Sequence, residues 1–187
     1  MTGIFPGEWK SARVTPLYKN SGKRSDPTNY RPISIIPVVA SVFEWIIYDQ
    51  LYRYFTKNNF LSCHQSGFLS LHSTLKALIE ATDSWAMDID RGLVNAVVFL
   101  DLKKAFDTVD HHILLRKLLY YRICWTSHQW FASYLDNRTQ ICHLNSCEST
   151  PKHLRYGVPQ GTTLGPLLFL RWPNTVFKSL CLILHNF

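Results

Sequence analysis

No two cysteines in this chain are spaced C-x-x-C. The five present, at positions 63, 124, 142, 147 and 181, are odd in number and scattered. Neither a disulfide framework nor a zinc cage is implied, and a reducing, intracellular compartment fits. The eight histidines do not fall beside cysteine in ligand spacing. His111 and His112 are adjacent at an expected helix start and so point apart, a poor arrangement for sharing an ion. No apolar run is long enough to span a bilayer and no signal peptide is recognisable, so a membrane is not an expected partner. Repeats and low-complexity tracts are missing as well. One further absence matters below: no aspartate or glutamate follows Glu148.

What is present suits a folded, basic chain. At 187 residues it makes one ordinary domain or two small lobes, and a hydrophobic fraction of 47% is enough for a core. The net charge of +7 and pI near 9.2 suit a polyanionic partner. The basic excess concentrates early, where Lys10, Arg13, Lys19, Lys23, Arg24 and Arg31 face only Glu8 and Asp26. Such a cluster is either a solvated basic loop or a phosphate-binding surface.

Local patterning gives an alternating order of elements. Ala12 to Tyr18 alternates loosely as a short strand, and Lys19 to Arg24 follows as a mobile loop. Val42, Phe43, Ile46, Ile47, Leu51, Tyr54 and Phe55 recur at helical spacing between Ser41 and Asn58. His64 to Phe68 reads as a loop. Ser73 caps another helix (Leu75, Leu78, Ile79, Thr82, Trp85, Ile89), which Gly92 stops. Helical stretches are expected at about 108–123 and 127–136, the second with Trp130, Phe131, Tyr134 and Leu135 on one side. Asn137 to Gln140 is a turn. Ile141 to Leu144 and Lys152 to Tyr156 form a strand pair around a polar loop from Asn145 to Pro151.

Between the second helix and the third lies Asn95-Ala96-Val97-Val98-Phe99-Leu100-Asp101. An unbroken apolar run without polar alternation is how a strand buried on both faces reads. It ends on a carboxylate, which is costly inside a sheet. Asp101 is therefore expected at the strand's open end, where its oxygens can hold a hard cation or cap the following turn. Asp107 and Asp110 are spaced as an N-cap and a first-turn acid ahead of a helix carrying Ile113, Leu114, Leu118 and Tyr121. Phe106 can lie beside whatever Asp101 binds, or be a plain core aromatic.

Phe99 to His111 (FLDLKKAFDTVDH) resembles the first catalytic motif of reverse transcriptases, in the version used by non-LTR (LINE-type) retrotransposons. Gly157 to Phe169 (GVPQGTTLGPLLF) is similar to that family's glycine-rich motif, and Asn29 to Ser34 (NYRPIS) to its fingers motif. The three stand in the family's order, and the resemblance runs from about Trp9 to Phe169. It implies an α/β fold of the α+β palm-and-fingers polymerase type. Fingers and partial palm would be interleaved over 1–169, and 170–187 would form a divergent or truncated tail. The implied activity is RNA-directed DNA synthesis, with an RNA template, a DNA primer and deoxynucleoside triphosphates as partners. Two Mg²⁺ or Mn²⁺ ions would be the cofactors.

The resemblance also implies roles. Asp101 would be the metal-binding catalytic carboxylate. Lys19 and Arg31 would touch the triphosphate, and the forked guanidinium of Arg31 suits bidentate contact. Phe106 would lie under the sugar and exclude a 2′-hydroxyl. Gln160 would offer amide hydrogen bonds beside the base pair, and Gly161 would let backbone approach it. Two departures stand out. Leu69 replaces an arginine that the family usually carries. The aromatic-Ala-Asp-Asp hairpin, which brings the other carboxylates, has no counterpart in these 187 residues, and neither has the thumb. One carboxylate cannot anchor two metals, so these residues alone are expected to be inactive or nearly so. A noncatalytic nucleic-acid-binding remnant and a decayed reading frame are the alternatives.

Overall fold

The computed structural model describes residues 2–61, 66–68, 72–99 and 104–171. They divide into two compact units, parted at Tyr52/Arg53 and at Lys103/Lys104. Among the described residues there are five α-helices and a mixed sheet. Among the described residues no helix is long and apolar enough to cross a membrane.

The first unit is built on β1 (Ser11–Tyr18). Ala12 and Val14 are buried while Ser11, Arg13 and Thr15 are exposed. This period of two marks a strand with one face on the core. β1 pairs antiparallel with β2 (Tyr30–Ile35), Arg13 opposite Ile35 and Tyr18 opposite Tyr30. On its other side β1 pairs parallel with β3 (Thr139–Leu144), Val14 opposite Cys142. β3 then takes two short antiparallel partners, β4 (Cys147–Glu148) and β5 (Lys152–His153). The expected turn at 137–140 is shorter than its composition suggests, because Thr139 and Gln140 already pair with β1.

The loop between β1 and β2, expected to be mobile, is tied to itself. Asp26 accepts from the amide and hydroxyl of Thr28, and these bonds hold its carboxyl below the usual range. The hydroxyl of Tyr18 donates to the Gly22 carbonyl, and that of Tyr30 to the Arg24 carbonyl. Arg24 covers the Tyr18 ring at 5.3 Å.

Three helices close the core of this unit. α3 (His111–Tyr120) buries Leu114 and Leu118, and α4 (Trp125–Leu135) buries Trp130, Phe131, Tyr134 and Leu135, the face its spacing predicted. α3 contacts both α4 and α5 (Leu164–Arg171). The cap of α3 is Asp110, whose carboxylate accepts from Ile113 N–H at 3.0 Å. This corrects the expectation of Asp107 as the cap: Asp107 lies in a 3₁₀ turn, Ala105–Thr108, and the true helix begins a turn later. An aromatic cluster centres on Phe5, which stands edge-on to Trp130 at 5.6 Å and to Tyr134 at 5.1 Å.

α1 (Val38–Lys57) is the long helix its spacing predicted, and of the expected face Phe43, Ile47 and Tyr54 are half-buried. Ala40, Glu44, Leu51 and Phe55 are buried, whereas Val42 and Ile46 are exposed. An acid therefore occupies a core position on a face read as apolar.

In the second unit α2 (Thr74–Asp90) starts where expected. Ser73 accepts from Lys76 N–H at 3.1 Å, and past Arg91 the chain turns at Gly92, whose φ is +76°. Of the run expected as a buried strand, Asn95 to Asp101, Leu100 and Asp101 lie outside the described residues, and the part described is not assigned as strand. Residues 93–99 have no strand partner among the described residues, and Val94 and Phe99 are 96% and 85% exposed. A strand buried on both faces needs neighbours on both edges.

Candidate functional site

Three segments that carry the sequence motifs are bonded to one another. The first is the turn after the Asp101 segment. The second is the glycine-rich stretch. The third is β2.

Gly157 N–H donates to the Val109 carbonyl at 2.7 Å and Val158 N–H to the Phe106 carbonyl at 2.9 Å. His111 Nε2 lies 2.7 Å from the Gly157 carbonyl and donates to it. Residues 157–158 are thus stapled to 106–111 by three bonds. The approach is possible only without a side chain: a Cβ at Gly157 would lie 3.0 Å from Asp107 Cα and from the Phe106 oxygen, and its φ is +90°. Three residues on, the Gln160 carbonyl accepts from Ser34 N–H at 2.7 Å. This satisfies the free edge of β2, since β2 is the outer strand of the sheet. Gly161 follows with φ +98°, and a Cβ there would meet Ile33 Cγ2 at 2.9 Å.

Of the residues singled out from sequence, the structure brings some together and leaves others apart. Gln160 is half-buried and lines a small open cleft with Pro32, Ser34, Asp107, Tyr156 and Gly157. The cleft's ≈ 30 Å³ is room for a water or two. Arg31 is exposed on β2 and stands opposite Leu17. Lys19 is two residues beyond Leu17, and its N–H continues the ladder to the Asn29 carbonyl at 2.9 Å. Strand alternation therefore puts Lys19 and Arg31 on one face of the hairpin as diagonal neighbours. The Lys19 ammonium also donates to the Thr28 carbonyl at 2.9 Å. Phe106 is half-buried and stacks on Phe169 of α5, centroids 4.7 Å apart. Asp101 lies outside the described residues, as do His64, Gln65 and Leu69.

Beneath the glycine turn is a buried polar group that motif reading passed over. Glu44 is fully buried. Its Oε1 accepts from Tyr134 Oη–H at 2.8 Å and its Oε2 from Leu164 N–H at 3.2 Å. The Thr162 hydroxyl accepts from Gly165 N–H at 3.2 Å, which completes the start of α5. Arg138, 1% exposed, donates to the Tyr134 carbonyl at 3.1 Å and lies 4.6 Å from the Tyr134 ring centre. Its Nε and Nη2 have no hydrogen-bond partner. The rings of Tyr134 and Phe5 face the guanidinium instead. Burial pushes the Glu44 carboxyl up, against the opposing pull of Tyr134, Leu164 N–H and the Arg138 charge. Burial pushes the Tyr134 hydroxyl up as well, and the Glu44 charge adds to it. The signal in the sequence was a lone acid four residues after Ala40 and seven before Leu51, on one helical face.

The site needs an ion only in the polymerase scheme, and the described residues do not supply its cage. Among them no group of three or more His, Cys, Asp or Glu side chains is placed to hold a metal. Asp107, exposed at the cleft, is a single carboxylate.

Two outcomes follow from this geometry. Gly157→Ala should destabilise the chain by about 1–3 kcal/mol in denaturant unfolding, since the added carbon meets backbone at positive φ. Gly7→Ala, where a Cβ meets nothing within 4 Å, should stay within about 0.5 kcal/mol of wild type. The second concerns pH. The folded chain keeps a proton on Glu44 above the ordinary value of 4.5, where the unfolded chain has released it. In that window the native state binds more protons, so stability falls as pH rises. Thermal unfolding of wild type against Glu44→Gln should favour wild type most below pH 4.5, and the advantage should shrink as pH rises through the elevated range. A pH-independent difference would contradict the shift.

A sequence profile of the Reverse transcriptase (RNA-dependent DNA polymerase) family matches residues 18–184. Curated relatives include a probable RNA-directed DNA polymerase from transposon BS of Drosophila melanogaster, 32% identical over 89% of this chain and 18% of its own length. The RNA-directed DNA polymerase from mobile element jockey of the same species is 31% identical over the same shares. A retrovirus-related Pol polyprotein from type-1 retrotransposable element R2 of Popillia japonica is 30% identical over the whole chain and 25% of its own length. The chain thus spans about a fifth to a quarter of the relatives it matches. With its motifs in the family's order and its match covering most of its length, the chain belongs to the reverse transcriptase family, with non-LTR retrotransposon polymerases as its homologues.

Proposed function

We propose that this chain supplies the fingers and the first-carboxylate part of the palm of a right-hand RNA-directed DNA polymerase of non-LTR retrotransposon origin. RNA template, DNA primer and deoxynucleoside triphosphates are its substrates. The observation that carries the reading is the bonding of the glycine turn both to residues 106–111 and to Ser34 of β2. The segment after Asp101, the Gln160-Gly161 turn and the strand bearing Arg31 thereby form one connected surface.

In this reading Lys19 and Arg31, on one face of the hairpin, hold the triphosphate. Gln160 and the bare backbone at Gly161 lie along the new base pair, and Phe106, backed by Phe169, bounds the sugar. Asp101 is the carboxylate ligand of a divalent cation, Mg²⁺ or Mn²⁺. When bound, such an ion would supply activation of a primer hydroxyl and charge to offset the transferring phosphate. The remaining carboxylates of a two-ion cage are not matched by any aspartate or glutamate after Glu148. The 187 residues by themselves then bind duplex without extending it.

Two measurements test this. The purified chain should bind an RNA–DNA primer–template with an affinity that falls steeply with salt, and should incorporate no nucleotide with Mg²⁺ or Mn²⁺. Robust incorporation would defeat the inactivity, and binding that salt leaves unchanged would defeat the phosphate contacts. In a longer polypeptide that does incorporate, Asp101→Asn should abolish extension with duplex binding intact. There, Phe106→Val should admit ribonucleotides, whereas unchanged sugar selectivity would leave Phe106 as packing against Phe169.

A further inference from the structure

We infer that Glu44 is a positioning residue for the Gln160-Gly161 turn, acting through the start of α5. That assignment deepens the polymerase reading above and rests on it for what the turn touches.

The turn is held from two sides on its surface, by Ser34 and by residues 106–111. Neither of these fixes its far end, where the chain enters α5. There Leu164 N–H points inward to Glu44 Oε2 at 3.2 Å. The first N–H groups of a helix have no partner within the helix, and an anion at that end is favoured by the helix dipole. Burial removes water as the alternative acceptor, so Glu44 is what satisfies this group. The carboxylate is itself oriented, because its other oxygen takes the Tyr134 hydroxyl at 2.8 Å. Tyr134 is fixed in turn by stacking on Trp130 at 5.4 Å and by Arg138 over its ring. The chain of contacts runs from the aromatic core through Tyr134 and Glu44 to Leu164, three residues from Gly161. Gly165 completes the geometry: a Cβ there would overlap the Pro159 carbonyl, so the turn folds tightly onto the helix start.

A buried carboxylate in this place is a weak source of stability, since its desolvation offsets what its bonds return. What it does supply is direction. It accepts at two defined points on two elements, and an apolar side chain of the same volume accepts at none.

Hydrogen exchange on the purified 187-residue chain tests the assignment. In Glu44→Ala, amides from Gln160 to Leu168 should exchange about tenfold faster or more, with the β1–β2 ladder unchanged. Glu44→Gln keeps an acceptor for Leu164 N–H at the same reach and should restore slow exchange. Equal acceleration in both segments, or no rescue by glutamine, overturns the inference. Should Glu44→Ala fail to fold, Tyr134→Phe carries the test, because it removes one donor to the carboxylate and little volume. It should speed the same amides about three- to tenfold and no others, and unchanged rates there overturn the inference.

A second arm separates this from the polymerase reading. If wild type binds no RNA–DNA primer–template, that reading fails, while the exchange pattern still decides whether Glu44 holds the turn. If wild type binds, the variant with local fast exchange should bind the duplex more weakly and Glu44→Gln as wild type does. Full affinity in the fast-exchanging variant overturns the positioning role.

Discussion

Two backbones approach each other at Gly157 more closely than any side chain allows, and the first unit is arranged around that approach. A Cβ would lie 3.0 Å from Asp107 Cα. With only a hydrogen there, Gly157 and Val158 present both N–H groups to carbonyls of the 106–109 turn. The bonds are short-range and directional, so they fix position in a way that apolar contact alone does not. Once that register is set, the chain reaches Gln160 at the edge of β2, and the same residues that satisfy a strand edge also place the turn. A glycine-rich motif is often read as flexibility. Here Gly157 and Gly165 mark points of closest packing, and the conformational freedom of glycine is used up by contacts on both sides.

Behind that turn the core contains charge. Glu44, Tyr134 and Arg138 are all buried, and a domain of this size could in principle fill the same space with apolar side chains more favourably. Their arrangement limits the penalty. Both carboxylate oxygens are occupied, the guanidinium stacks on two rings, and Glu44 and Arg138 each lie in the other's field. Burial still outweighs these partners and holds the Glu44 carboxyl above its ordinary range. The group is best understood as a set of fixed directions joining α1, α4 and α5. It does not rest on a favourable ion pair, since the charges are linked through Tyr134 rather than by direct contact.

Local signals in the sequence were legible where one short interaction decides the outcome. Ser73 reads as a cap and is one, and the Trp130-Phe131-Tyr134-Leu135 face is buried as its spacing requires. The strand at Ala12 follows from alternation alone. Asp107 and Asp110 were harder: both suit a cap, and the choice depends on a 3₁₀ turn that three residues of propensity do not settle. The face of α1 was read correctly at Leu51 and Phe55 and missed at Ala40 and Glu44. Val42 and Ile46 are more apolar than those two, so hydropathy widens the predicted face toward them. The actual face is set by where Tyr134 and Leu164 offer hydrogen bonds, and those lie 90 and 120 residues away in sequence.

The run at 93–99 shows the same limit at the scale of a sheet. Its composition is that of a strand buried on both faces, but a strand is a relation between segments, and composition names only one of them. A helix satisfies its own backbone; an extended segment does not, and needs donors and acceptors on other chains of the sheet. Among the described residues no strand is assigned there, and Val94, Val97, Val98 and Phe99 are exposed. The motif that follows was nonetheless recognisable, because a family resemblance is read from the order and spacing of residue types and not from which strand lies alongside. Family membership was therefore readable from a stretch whose structure was not. The converse holds for Glu44, whose structural place is clear in three dimensions and which no motif had marked.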